Sequence, residues 1–237
     1  MAEADWGALT GSALDTTAVR RGVSNAFTRP NGGGSFVHGF RSITSAVGCS
    51  GRYVNLANFI PIAGTRKGGS IRAAMTRYTA GDYSPFIGLV KGTDPATAVG
   101  YILGLTGETA YRMALRKGGL TTPLLSTDSS ILIQSTSSWT DVGDTATYWK
   151  HMRLDVLSNP HGEVVLEVYE NDLNTNLVTA PVWTQVGSTF IDDVLGALSE
   201  SAPHEDGFYA VFGHITSNEV GATSLFDQLV VRRQTAP

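Results

Sequence analysis

Carboxylates come first, because cleaving a glycosidic bond needs two of them, about 5 Å apart for retention or ~6.5–9.5 Å for inversion. Glu163, Glu167 and Glu170 lie close together in the chain. On an extended strand Glu163 and Glu167 share a face but stand ~13 Å apart at about 3.3 Å per residue, while Glu170 points the other way. Such spacing suits solvated strand faces rather than an acid–base pair. Asp172-Leu173-Asn174-Thr175-Asn176 begins like a calcium loop, yet Leu177 and Trp183 stand where that loop needs Gly and Glu. An Asx-rich turn is the plainer reading. The five histidines (His38, His151, His161, His204, His214) show no pairing that suits zinc. Cys49, the single cysteine, sits among small residues with no histidine near it, as a small hydrophobe would rather than a nucleophile. Gly48-Cys49-Ser50-Gly51 falls one residue short of a nucleophile elbow. No phosphate-cradling Gly-Lys-Ser/Thr loop occurs. Asp192-Asp193 reads as the start of a short helical turn over 191–198. Asp227 reads as an acceptor for a neighbouring loop. The expectation is a non-enzymatic protein with no catalytic, cofactor or metal residues.

The elements that position these groups read as strands. The chain has 237 residues, 27 of them Gly, only 16% charged, and no long Ala/Glu/Lys/Leu stretch. That composition favours many short strands joined by tight turns. Alternation marks about eleven strands between 36 and 232, with Gly, Asp, Asn or Pro between them. No strand–helix–strand rhythm appears, so a parallel sheet is not expected. The expected fold class is all-β, a two-sheet antiparallel sandwich over residues 35–237. The clearest alternation is at 148–156. Tyr148, Met152, Leu154 and Val156 share one face, and Trp149, His151, Arg153 and Asp155 the other. A turn at Asn159-Pro160-His161-Gly162 leads into a strand with Val164, Leu166 and Val168 inward.

Residues 1–34 differ from the rest and read as an N-terminal arm. Asp15 caps a short helix with Val19, Val23 and Phe27 at i, i+4 and i+8. Arg29-Pro30 ends it, and Asn31-Gly32-Gly33-Gly34 forms a hinge. The net charge is −4 and basic residues come only as scattered pairs, so no nucleic-acid partner is expected. The acidic N-terminus lacks the apolar core of a secretory signal, and no window approaches the ~20 apolar residues of a membrane span.

Arg153-Leu154-Asp155-Val156, Val165-Leu166-Glu167-Val168-Tyr169, Gly207-Phe208-Tyr209-Ala210-Val211-Phe212-Gly213 and Phe226-Asp227-Gln228-Leu229-Val230-Val231 succeed one another with short turns between them. This succession resembles the last half of concanavalin A-like, laminin G-like sandwiches, across residues 98–233. The resemblance implies a jelly-roll sandwich, with calcium at a sheet rim through Asp172 or Asp206 as the one metal it would bring. The phrase RRGVSNAFTRPNGGGSFVHGFRS at 20–42 is similar to the start of tailed-bacteriophage virion proteins that carry such a sandwich. It implies a structural protein of a phage particle, a head decoration or tail accessory, made in the host cytoplasm and located on the virion. Its partners would be other virion proteins and copies of itself. The contact residues expected are Trp6, Val19, Val23 and Phe27 on the arm and the outward stripe Trp149, His151 and Arg153. The alternative is a lectin-like module that binds surface glycans. For that reading Trp139, Trp149 and Trp183 are the aromatics available for a sugar platform.

Overall fold

The computed structural model describes residues 7–9, 38–41, 47–55, 68–77, 81–108, 110–139, 149–158, 163–173, 175–176, 180–192, 209–217 and 221–233. Among them there are thirteen strands and no helix. In chain order they are β1 (Gly7–Ala8), β2 (His38–Arg41), β3 (Val47–Asn55), β4 (Gly68–Arg77), β5 (Tyr83–Lys91), β6 (Val99–Leu105) and β7 (Met113–Gly119). They continue as β8 (Ile131–Gln134), β9 (Lys150–Ser158), β10 (Val164–Asn171), β11 (Thr184–Asp192), β12 (Tyr209–Ser217) and β13 (Thr223–Arg233). Seven form one sheet in the order β1-β3-β12-β5-β6-β7-β8, and six form the other in the order β11-β10-β9-β4-β13-β2. Every pairing is antiparallel. This is the expected two-sheet sandwich.

Alternation builds the core. Ile71, Ala73 and Met75 of β4, Met152, Leu154 and Val156 of β9, and Val164, Leu166 and Val168 of β10 point inward. They meet Ile87, Leu89, Tyr101, Leu103, Leu115 and Phe212 of the seven-stranded sheet. The inward set of β9 and β10 is the one expected from their spacing.

The two outer faces differ. That of the seven-stranded sheet is apolar too: Phe86, Val90, Ile102, Ala114, Val211 and Ile215 pack beneath Leu9, Leu120 and Leu124. Two features close this cover. Arg116 gathers the loop after β7, donating to the carbonyls of Gly119, Thr122 and Pro123 at 3.0, 2.6 and 3.2 Å and pairing with Asp128 at 3.2 Å. Gly51 opens a trough for Leu9, since a Cβ there would lie 2.8 Å from Leu9 Cδ1. The six-stranded sheet carries polar and aromatic groups outward instead, and this face positions the site described below.

Some expectations change. Gly7–Ala8, within the stretch read as a free arm, pairs with Arg52 and Tyr53 as an edge of the chain's own sheet, and Leu9 is buried. Trp6 and the helix bearing Val19, Val23 and Phe27 lie outside the described residues. Ile191 and Asp192 end strand β11 rather than start a helical turn. Asp192 is buried, accepts the Tyr101 hydroxyl at 2.6 Å and pairs with Lys117 at 2.8 Å, joining the two sheets. β11 escapes sequence reading because it is a polar edge strand: only Val186 and Phe190 lean on the core, and Gly187, at φ 67°, breaks the alternation at a bulge. Asp227 accepts from the backbone N–H of its neighbour Gln228, at 2.8 Å, where the chain turns to φ 53°.

Candidate functional site

Strand register brings distant residues onto one face. Arg72 of β4, Arg153 of β9, Tyr169 of β10 and Gln185 of β11 stand in one row across four strands. Ala74, His151 and Asn171 form the row on one side, and Ser70, Asp155 and Glu167 the row on the other. All alternate with core residues and therefore point outward. Trp183, just before β11, lays its ring against this face. Its centroid is 4.6 Å from the His151 ring, 5.1 Å from the Arg153 guanidinium and 6.0 Å from that of Arg72. The Arg153 guanidinium also sits 4.1 Å from the Tyr169 ring. One cation thus lies between two aromatic faces, a geometry that holds it in place.

Hydrogen bonds fix the remaining groups. Arg153 pairs with Asp155 at 2.9 Å. Tyr169 donates to Glu167 at 2.6 Å, and Thr189 donates to the other Glu167 oxygen at 3.0 Å. Burial, and then that bond to Glu167, push the Tyr169 phenol up to about 12, so it stays protonated and keeps donating. Asn171 Oδ1 accepts the backbone N–H of Val182 at 2.9 Å, which turns its amide nitrogen towards His151 Nδ1, 3.1 Å away. An amide N–H must meet a lone pair, so Nδ1 is the acceptor and the imidazole proton sits on Nε2. His151 is fully buried, and burial, followed by the Arg72 charge, lowers it to about 3. It is a neutral imidazole presenting an N–H.

The fold is acid-sensitive on this account. His214, also buried, is held down to about 4 by burial. An unfolded histidine takes its proton near pH ~6.5. Below that the unfolded chain binds more protons than the native one, so stability is full above about pH 6.5 and is lost as pH falls towards the folded values. Each imidazole contributes a slope of up to about 1.4 kcal/mol per pH unit. Glu170, raised by burial, works in the opposite direction. Urea midpoints are expected to fall between about pH 7.5 and about pH 5, with a shallower fall in His151→Gln. A midpoint that does not move over this range contradicts two buried neutral histidines.

The contact stripe of the sequence reading divides. Trp149 is 2% exposed and packs with Ala74, Leu225 and Leu173, so it is core rather than contact surface. Leu173, from the loop after β10, is the cover that alternation cannot reveal. His151 and Arg153 do share the outer face. Trp139 pairs with Tyr111 at the edge of the other sheet and packs on the core, with Lys150 Nζ 4.2 Å from its ring. Of the three tryptophans only Trp183 reaches the face. Arg72, Tyr169, Asn171 and Gln185 were missed, since nothing local in their strands marks them and only register joins them. Asp172 closes a turn: its backbone carbonyl accepts from the N–H groups of Thr175 and Asn176 at 3.2 and 2.8 Å, and its carboxylate accepts the Thr175 hydroxyl at 3.2 Å. Asp206 lies outside the described residues. Among the described residues no three His, Cys, Asp or Glu side chains cluster as metal ligands. Burial raises the Cys49 thiol, which keeps it protonated.

No protein-family model matches the sequence, and no curated protein matches it. Solved structures do share the shape. The alginate lyase AlgAT5 of polysaccharide lyase family 7 aligns with a TM-score of 0.46 at 11% identity, covering 97% of this chain and 94% of that one. A legume lectin-like domain from Entamoeba histolytica aligns at 0.43 and 10%, covering 83% and 82%. A xylan β-1,4-xylosidase from Bacillus halodurans C-125 aligns at 0.43 and 12%, covering 83% of this chain and 32% of that chain. The fold class is all-β, a two-sheet antiparallel sandwich.

The expectation of a non-enzymatic protein is overturned. Structures similar to this chain are lyases and glycoside hydrolases as well as a lectin-like domain. Spacing along one strand leaves out pairs across strands: Asp155 and Glu167 stand directly opposite each other on adjacent strands, facing outward. Side chains so placed start about 4.5–5.5 Å apart at Cβ.

Proposed function

We propose that this chain binds carbohydrate across the outer face of its six-stranded sheet. The observation that carries this reading is the Arg153 guanidinium held between the ring faces of Tyr169 and Trp183. Sugars present apolar C–H faces and a rim of hydroxyls. A recognition face therefore needs aromatic planes beside polar groups of fixed orientation. Here Tyr169 and Trp183 supply the planes. His151, Asn171, Gln185 and the Asp155–Glu167 pair supply donors and acceptors on three adjacent rows. This reading stands ahead of assembly on a phage particle. Of the contacts that alternative drew on, Trp149 is buried, His151 and Arg153 belong to the face described here, and Trp6, Val19, Val23 and Phe27 lie outside the described residues.

A glycan array followed by calorimetry on the retained sugars tests it. Wild type is expected to retain at least one glycan class, and Trp183→Ala or Tyr169→Phe/Trp183→Ala to bind it about tenfold or more weakly, roughly 1.4 kcal/mol, without loss of fold. Retained glycans are then assayed for new chain ends, with Glu167→Gln as the control. A folded protein that retains no glycan, or variants that bind as wild type does, overturns the proposal.

A further inference from the structure

Three cations meet on the outer face, and the one between the other two makes no ion pair among the described residues. Arg153 is paired with Asp155. Arg232 is exposed to solvent at the far strand. Arg72 lies between them, partly buried, and makes no ion pair or hydrogen bond among the described residues. Its Nε is buried with no partner. Burial, and then the like charges of Arg232 and Arg153, lower its pKa. Its contact with the Trp183 ring, at 6.0 Å, is at the outer limit of a cation–π interaction and compensates little of the lost hydration. A partly desolvated cation among like charges is stabilised when an anion joins it.

A second, independent observation comes from the neighbouring strand. His151 is fully buried, and its Nε2 has no hydrogen-bond partner. The Asn171 contact places a proton on that nitrogen, so it is an N–H donor without an acceptor. Arg153 Nε is a third buried N–H without a partner. Arg72, His151 and Arg153 all border the same Trp183 ring. Three N–H donors without acceptors around one aromatic plane call for an oxyanion.

We propose that the ligand of this face is an acidic glycan, whose oxyanion, a uronate carboxylate or a sulfate ester, is held by Arg72 with the His151 N–H beside it. This rests on the carbohydrate reading above and adds the charge of the sugar. The guanidinium fork receives either oxyanion through two N–H groups, and the neutral imidazole adds a donor without adding charge.

Calorimetry with three probes of matched length tests the inference: a polyuronate oligosaccharide, a sulfated glycan oligosaccharide and a neutral β-linked oligosaccharide. An acidic probe is expected to bind at least about tenfold more tightly than the neutral one, and to weaken on raising salt from about 50 mM to about 500 mM. Arg72→Gln is expected to lose that preference, weakening the acidic probe at least about tenfold more than the neutral one. Arg72→Lys, which keeps charge without the planar fork, is expected to fall between them. Preference for the polyuronate assigns the carboxylate, and preference for the sulfated probe assigns the sulfate ester. Should Arg72→Gln fail to fold, Arg72→Lys and the salt dependence of wild type carry the test. Neutral and acidic probes bound equally, or a preference untouched in Arg72→Gln, overturn the inference and leave carbohydrate binding standing. Failure of all three probes and of the wider array removes the carbohydrate reading itself.

Discussion

Trp149→Ala is expected to cost about 3–5 kcal/mol of stability, the range for emptying a buried aromatic site. The indole is 2% exposed and lies on the outer side of the six-stranded sheet, enclosed by Ala74, Leu225 and Leu173. Those neighbours belong to β4, β13 and the loop after β10, so the cavity is walled by backbone that cannot collapse without breaking ladder bonds. In a chain of this length 1 kcal/mol corresponds to about 2–4 °C, so the melting temperature is expected to drop by roughly 6–20 °C. Urea unfolding measures the loss directly. A cost below about 1 kcal/mol, the scale of a surface change, contradicts the buried assignment and returns Trp149 to the contact surface.

Arg77→Met is expected to cost about 3 kcal/mol or more, because it removes three hydrogen bonds from a charged donor at roughly 1.5–3 kcal/mol each, partly offset by restored packing. Arg77 is 2% exposed, between the rings of Tyr83 and Tyr111 at 5.0 and 5.1 Å. It donates to the carbonyls of Thr106, at 3.3 Å, Glu108, at 2.6 Å, and Gly81. The guanidinium therefore ties the end of β4, in one sheet, to the loops before β5 and after β6, in the other. Methionine fills the volume but leaves the carbonyls without their donor. Arg77→Lys restores the charge and not the fork, and is expected to recover only part of the loss. Comparable unfolding midpoints for wild type and Arg77→Met contradict this role. Glycan binding by folded Arg77→Met is expected to be unchanged, since Arg77 lies away from the outer face.

The alternation in β9 and β10 was legible because it depends only on neighbours in the chain. Met152, Leu154 and Val156 were placed inward, and His151, Arg153 and Asp155 outward, by the period of two that a strand imposes. Polar edge strand β11 was not legible. Its Thr, Ser and Gly residues fill no core, and a bulge at Gly187 interrupts what pattern there is. The depth of Trp149 was not legible either, since alternation tells which side a residue faces and not whether a loop covers that side.

The candidate site shows the same division. Local sequence named His151, Arg153 and Trp183 as residues of the right chemistry. It weighed carboxylates only along one strand, Glu163 and Glu167 among them. What it could not supply was the neighbour on the next strand. Arg72 and Arg153 are 81 positions apart, and Arg72 and Gln185 are 113 apart, yet with Tyr169 they share a row. The Asp155–Glu167 pair arises in the same way. By itself the sequence determined a two-sheet antiparallel sandwich and the direction in which each regular strand presents its side chains. Only the tertiary structure decided which outer face is closed, which tryptophan is buried, and which charges stand together, because cross-strand register is set by the packing of whole sheets and leaves no mark on any one strand.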